Sequence, residues 1–228
     1  MEKAFLARTF NEAKEGKSGC LFCRPFQGMI LHETSHFRIL LDTFPVAEGH
    51  LMISSKDHYG SGGEIPLELF FELSALKEEL QEKMTQIDRS FIFYEHGRAG
   101  CCLATSPDEK CEHFHLHCLP ADVSIQGALK ERFDEIQMDS YSDISSLFME
   151  QGNYLYFEDT DRNKLFYPAE DDRVDSHLLR SLICEALYTP ELADWEDFSD
   201  RELFIKSYEV VKDFYSREQL EAACGLLG

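Results

Sequence analysis

His113-Phe114-His115-Leu116-His117, followed by Cys118-Leu119-Pro120, sets three imidazoles two residues apart with apolar side chains between them. On an extended strand, side chains two apart share a face. The spacing therefore predicts one strand with all three rings on one side and Phe114, Leu116 and Cys118 on the other. A histidine-rich surface strand is the plain alternative, but strict alternation with apolar residues marks a half-buried strand. Three imidazoles on one face suit neutral metal ligands, a nucleophile or proton carriers.

Around this stretch, 228 residues give ample material for a core and room for one large domain or a domain with an elaboration. Hydrophobic residues make up 43% and aromatic residues 12%, the composition of a folded protein. A net charge of −21, from 43 acidic and 22 basic residues, repels polyanions and argues against a long nucleic-acid groove or an anionic membrane surface. It leaves room for a small nucleotide held in a local pocket. No segment is long and apolar enough to span a bilayer. Charged Glu2, Lys3, Arg8, Glu12 and Lys14 interrupt the N-terminal segment, so it lacks a signal-peptide core. Eight cysteines without such a signal read as reduced thiols or metal ligands, and a cytoplasmic location is the expectation.

Upstream, Glu2 to Glu15 reads as a helix with Phe5, Leu6 and Phe10 on one side. Met29 to His32 and His36 to Leu41 read as paired strands, and His50 to Ser54 as another. A helix is predicted from Pro66 to about Ile87, with Leu69, Phe70, Leu73, Leu76, Leu80 and Met84 at core spacing. Ser90 to Glu95 is a further strand before the long loop that leads to His113. After Pro120 the pattern predicts a helix from Ile125 to Phe133 and strands at Tyr154 to Phe157 and Leu165 to Tyr167. It also predicts helices from His177 to Tyr188, with Ser176 as N-cap, and from about Asp200 to Tyr215. The division expected is an N-terminal helical segment (1–19), a central domain (20–120) and a C-terminal extension or small second domain (121–228).

Cys20 and Cys23 have the spacing of a metal knuckle, since two intervening residues let both sulfurs face one ion. A redox dithiol has the same spacing, although Gly19 before and Pro25 after do not fit a strand–CxxC–helix arrangement. Two thiolates leave a zinc site two ligands short; His58 and His113 are the favoured candidates, against the plain reading of His58 as an exposed polar residue. Cys101, Cys102, Cys111 and Cys118 read as free thiols rather than a second metal site. Glu158-Asp159 and Glu170-Asp171-Asp172 read as solvated turns, and Trp195 with Phe198 as packing for the C-terminal helix.

In order and spacing, these pieces resemble the histidine triad (HIT) superfamily of nucleotide hydrolases and transferases. The matching features are CLFC at Cys20 to Cys23, Leu41-Asp42-Thr43-Phe44-Pro45, Gly49-His50-Leu51-Met52-Ile53-Ser54 with the trailing His58, the long helix, and HFHLH at His113 to His117. The resemblance covers about residues 18 to 120 and implies an α+β fold, an antiparallel sheet with a long helix. To this the chain adds a C-terminal α/β elaboration. In zinc-bearing members the matching positions make Cys20, Cys23, His58 and His113 the ligands of a closed, structural ion. His115 matches the nucleophile that attacks the α-phosphorus of a nucleotide to give a nucleotidyl-histidine. His50 and His117 match residues that contact the phosphate, and Asp42 matches a residue that accepts the ribose hydroxyls. The scheme requires no magnesium.

Two departures shape the expectation. Many members lead into the triad with Asn-x-Gly and then Gly-Gln-Ser; here the loop begins Glu95-His96-Gly97 and ends Lys110-Cys111-Glu112. His96 is the candidate for one missing donor, with a strand-end histidine as the plain alternative. The third triad residue is His117, where uridylyltransferase-like members and dinucleoside tetraphosphate phosphorylases carry glutamine. The resemblance thus implies a nucleotide hydrolase. Nucleotidyl transfer or phosphorolysis related to galactose-1-phosphate uridylyltransferase, or a degenerate nucleotide-binding module, are the alternatives. A small nucleotide substrate is the expected partner, and a homodimer is compatible with the family.

Overall fold

A computed structural model describes residues 3–15, 19–100, 112–170, 174–195 and 198–215. Among them, eight strands form one antiparallel sheet. In chain order they are β1 (Ile30–Glu33), β2 (Phe37–Leu41), β3 (Leu51–Ser55), β4 (Ile92–Gly97), β5 (His115–Leu119), β6 (Ile136–Met138), β7 (Tyr154–Glu158) and β8 (Lys164–Pro168). Their spatial order is β1-β2-β3-β5-β4-β7-β8-β6. The helices are α1 (Lys3–Glu15), α2 (Phe70–Thr85), α3 (Gln126–Lys130), α4 (Asp143–Gln151), α5 (Leu178–Ala186) and α6 (Arg201–Val211). The architecture is α+β, and β7, β8 and β6 from beyond residue 120 continue the sheet that the earlier strands begin. No described helix is long and apolar enough to cross a membrane.

Several elements differ from the sequence expectation. The histidine strand starts at His115, and His113 sits in a bend before it, so only His115 and His117 share a strand face. Above the Pro66 start, one 3₁₀ turn (Leu67–Leu69) precedes α2. The helix expected from Ile125 to Phe133 is the short α3. Ser176 does not cap α5; His177 occupies that position. Asp200, by contrast, caps α6 by accepting from the amides of Glu202 and Leu203.

Register divides the sheet into two faces. Ile39, Ile53 and Leu116 align across β2, β3 and β5 and pack against Leu73, Leu76 and Leu80 of α2. Each such fully buried leucine contributes about 1.5–3 kcal/mol of burial free energy. Beneath the same face, Lys77 reaches Glu158 at 2.6 Å, and Tyr156 donates its hydroxyl to the same carboxylate oxygen. The expected solvated turn at Glu158 is thus a buried ion pair, formed because β7 lies against α2. Glu95 accepts from the Gly62 amide and the hydroxyls of Tyr141 and Tyr154, and burial pushes its carboxyl up to about 7. Gly97 belongs to this layer for want of room: a Cβ there would collide with the Tyr154 ring.

On the opposite face two separate apolar clusters stand apart. Phe22, Phe26 and Met29 cover Leu40 and Met52 over β2 and β3. Leu129 of α3 and Leu178, Leu179 and Ile183 of α5 cover Leu155, Phe157, Leu165 and Tyr167 farther along the sheet. Between them lies β5, whose outward residues on this face are His115 and His117. The polar site occupies the gap that the two clusters leave.

Candidate functional site

Each strand delivers its functional residue through the register. Met52 pairs with His117 and Ser54 with His115, so the face that carries the two histidines continues through β3 to His50 at its start. Asp42 follows β2, with its amide bonded to the His50 carbonyl. On the other side Tyr94 pairs with His117, which brings His96, two residues on, level with His115. The structure therefore gathers Asp42, His50, His96, His115 and His117 on one surface.

The hydrogen-bond partners decide the proton positions. His115 Nδ1 lies 2.7 Å from the His113 carbonyl oxygen, an acceptor, so Nδ1 carries the proton and Nε2 keeps its lone pair. Burial, reinforced by His117, lowers the His115 ring to about 4 and keeps it neutral. The Val46 amide donates to His50 Nδ1 at 3.4 Å, and His50 Nε2 lies 3.1 Å from His117 Nδ1. Burial lowers both His50 and His117 to about 4. Burial works against the Asp42 carboxylate, but the His50 and His117 imidazoles and the Arg180 guanidinium outweigh it and hold the carboxyl well below its usual range. Asp42 Oδ1 accepts the Phe44 amide, and Oδ2 faces the two histidines at 3.4 and 3.5 Å.

Beside this surface, Cys20, Cys23, His58 and His113 converge. Cys20 Sγ is 3.4 Å and Cys23 Sγ 3.5 Å from His113 Nδ1, Cys23 Sγ is 3.1 Å from His58 Nδ1, and the two Nδ1 atoms are 3.2 Å apart. Tetrahedral zinc with ordinary bond lengths sets its donors roughly 3.3–3.8 Å apart, so the donor set and its spacing fit that ion. His113 Nε2 donates to the Ser55 carbonyl at 2.9 Å, which leaves Nδ1 free to ligate and fixes the ring.

Sequence reasoning missed four residues of the site. Phe22, between the two cysteines, stacks on His115 with centroids 4.3 Å apart and planes 15° apart. Tyr94 stacks on His117 at 4.4 Å and 6°. Their positions, inside CLFC and two residues before His96, were the available signals. Arg180 and His177 had none. Arg180 is buried and donates to the carbonyls of Phe44, Leu192 and Ala193. His177, in a left-handed conformation at φ +61°, accepts from Trp195 Nε1 at 3.1 Å, and Trp195 stacks on Phe44. The turn after α5 thus brings Trp195 against Phe44 and His177. Cys118 faces the core as expected, whereas Cys101, Cys102 and Cys111, with the loop 101–111, lie outside the described residues.

No family model matches the chain. An uncharacterized HIT-like protein of Mycoplasma pneumoniae is 26% identical over 111 residues, 45% of this chain and 72% of that protein. Adenosine 5'-monophosphoramidase of Saccharomyces cerevisiae is 26% identical over 107 residues, 45% of this chain and 63% of that protein. An uncharacterized HIT-like protein of Mycoplasma genitalium is 31% identical over 117 residues, 47% of this chain and 76% of that protein. With so large a share of that relative matched at that identity, the chain belongs to the histidine triad family.

Proposed function

We propose that this protein is a nucleotide hydrolase that cleaves at the α-phosphorus of a nucleoside 5'-phosphate conjugate, by way of a nucleotidyl-histidine on His115. The observation that carries the reading is the His115 Nδ1–H bond to the His113 carbonyl. It holds the ring's proton away from Nε2 and aims a neutral lone pair off the sheet. The yeast relative, named for cleaving an adenosine monophosphoramidate, supports the same bond type.

In the first step Nε2 forms a bond to phosphorus while the bond to the leaving atom breaks, its electron pair going to the departing group, which takes a proton from solvent. In the second, water forms the new P–O bond and gives a proton to solvent, the N–P bond breaks with its pair returning to Nε2, and the nucleoside monophosphate leaves a neutral imidazole behind. His117, linked to His50 and Asp42, meets the charge that develops on a phosphoryl oxygen. Asp42 Oδ2 offers an acceptor for ribose hydroxyls. Phe22 and Tyr94 hold the rings of His115 and His117 by stacking on them. Cys20, Cys23, His58 and His113 would hold a zinc ion with all four positions filled. Such an ion supplies structural support, not an activated water.

The test is incubation with α-phosphorus-labelled nucleotide conjugates, followed by mass spectrometry of the histidine peptide. An adduct on His115 is expected in the wild type, and turnover falls by about 10⁴-fold or more in His115→Asn, the scale of removing a nucleophile. Undiminished turnover in that variant would sink the mechanism. Acceleration of adduct decay by a sugar phosphate or inorganic phosphate far beyond water would instead mark a transferase. Binding without any adduct would mark a degenerate module.

A further inference from the structure

The geometry points to a defined task for His96, assigned to it by the C-terminal region: its Nδ1–H donates to a nonbridging oxygen of the α-phosphoryl group, and the Leu179 amide is what puts the proton there. This rests on the nucleotidyl-histidine reading.

The first amides of a helix have no acceptor within it and need one from elsewhere. His177, at the cap position of α5, supplies no side-chain bond. The Leu178 amide turns to the Asp175 carbonyl, and the Leu179 amide donates to His96 Nε2 at 3.3 Å. A histidine on a distant strand thus caps this helix. A ring nitrogen that accepts an N–H carries no proton, and a neutral imidazole has one proton to place, so it sits on Nδ1. Burial, with His117 and His115 close by, keeps the His96 ring neutral.

Among the described residues no acceptor meets His96 Nδ1; the Leu179 amide is the ring's one hydrogen-bond partner. Tyr94 lies opposite His117, so the half-buried His96 two residues on stands on the same face, close enough to His117 and His115 to feel their charge. A nucleophile rising from the sheet attacks in line, and the leaving group departs outward. A donor standing at its side therefore faces the equatorial oxygens, where charge builds as the new bond forms. A fixed donor waiting at such a place is how a protein lowers a phosphoryl-transfer barrier. The site has another donor of this kind in His117, so His96 would close the opposite side of the phosphoryl group.

Two substitutions separate this task from a purely structural cap. Asparagine places its amide nitrogen where His96 Nδ1 stood and cannot reach Leu179. Glutamine places a polar atom near Nε2, can still accept from Leu179, and has nothing at Nδ1. With adenosine 5'-phosphoramidate as substrate, His96→Gln is expected to lower kcat about 100-fold with KM little changed, the cost of one oxyanion donor. His96→Asn, which keeps a donor at that place, is expected to turn over at least about tenfold faster than His96→Gln. Thermal stability should run the other way: Tm falls by about 2–4 °C in the asparagine variant, which loses a helix cap, and holds in the glutamine variant. A glutamine variant as active as the wild type, or an asparagine variant as slow as glutamine, overturns the inference. The wild type and both variants are also examined for the His115 adduct. Its absence from the wild type overturns the hydrolase reading and this inference together. Equal rates of adduct formation in the wild type and the glutamine variant overturn the inference alone.

Discussion

The histidine face has two flanks that are held by different physics. On the side of Phe22, four side chains from three stretches of chain bring their sulfur and nitrogen donor atoms within 4.8 Å of one another, a set that a shared cation would suit. On the side of α5, the contacts are amide to ring, guanidinium to carbonyl and indole to imidazole, each already complete without any ion. One flank gathers donors that suit a cation; the other is complete within the protein. Both touch the histidine face, the first through Phe22 and the His113 carbonyl on His115, the second through His96 and Arg180.

If the proposed zinc is bound, its removal should strain that comparison most. Treatment with a chelator, or Cys23→Ser, is expected to lower stability by several kcal/mol, in keeping with the large coupling of structural zinc to folding. It should also disturb the His115 ring signal, while the indole fluorescence of Trp195 on the other flank changes little until unfolding. Metal content by elemental analysis and denaturant melts with and without zinc check this. Equal stability of the metal-free and zinc-loaded protein would show that the first flank is as self-sufficient as the second.

Acid comes next. His50 and His117 are held near 4 in the folded protein against about 6.5 when unfolded, so the unfolded chain binds more protons between those values. Their contribution is intact above pH 6.5 and is lost as pH falls toward 4, a loss on the order of a few kcal/mol for the coupled pair. Arg180 helps hold both rings down. Arg180→Met should therefore make the decline between pH 6.5 and 4 shallower, although it weakens the flank at neutral pH. Denaturant melts across that range report both effects, and a slope unchanged from the wild type would detach Arg180 from the histidines.

The smallest effect belongs to Trp195→Phe. Phenylalanine can keep the stack on Phe44 but loses the N–H that His177 accepts, at a cost of about 0.5–1.5 kcal/mol. A larger loss in a denaturant melt would mean that the indole holds more of this flank than one hydrogen bond.

Much of the first flank could be read from local spacing. Two cysteines three positions apart, and histidines at fixed offsets from Gly49 and Pro120, declare a knuckle and a strand without knowledge of their neighbours. The same spacing misplaced one detail: His113 leaves the strand, because its ring turns toward the cysteines and its carbonyl is needed by His115. The strands at Tyr154 and Leu165 were also visible. That they would join β4 in the same sheet was not, because apolar runs announce a strand without naming its partner. β6, only three residues long, was missed outright.

By itself, then, the sequence determined the residue types at the centre: His115 flanked by two more histidines, His50, the carboxylate Asp42 and a four-donor cluster. Spacing along a strand and within a knuckle is a short-range property that residue order carries. The tertiary structure decided which nitrogen of each ring holds its proton and which groups close the second flank. The Leu179 amide meets His96 across 83 residues, and Arg180 meets the Phe44 carbonyl across 136. A tautomer is set by whichever donor or acceptor arrives at the ring, and that arrival depends on how the sheet and α5 pack.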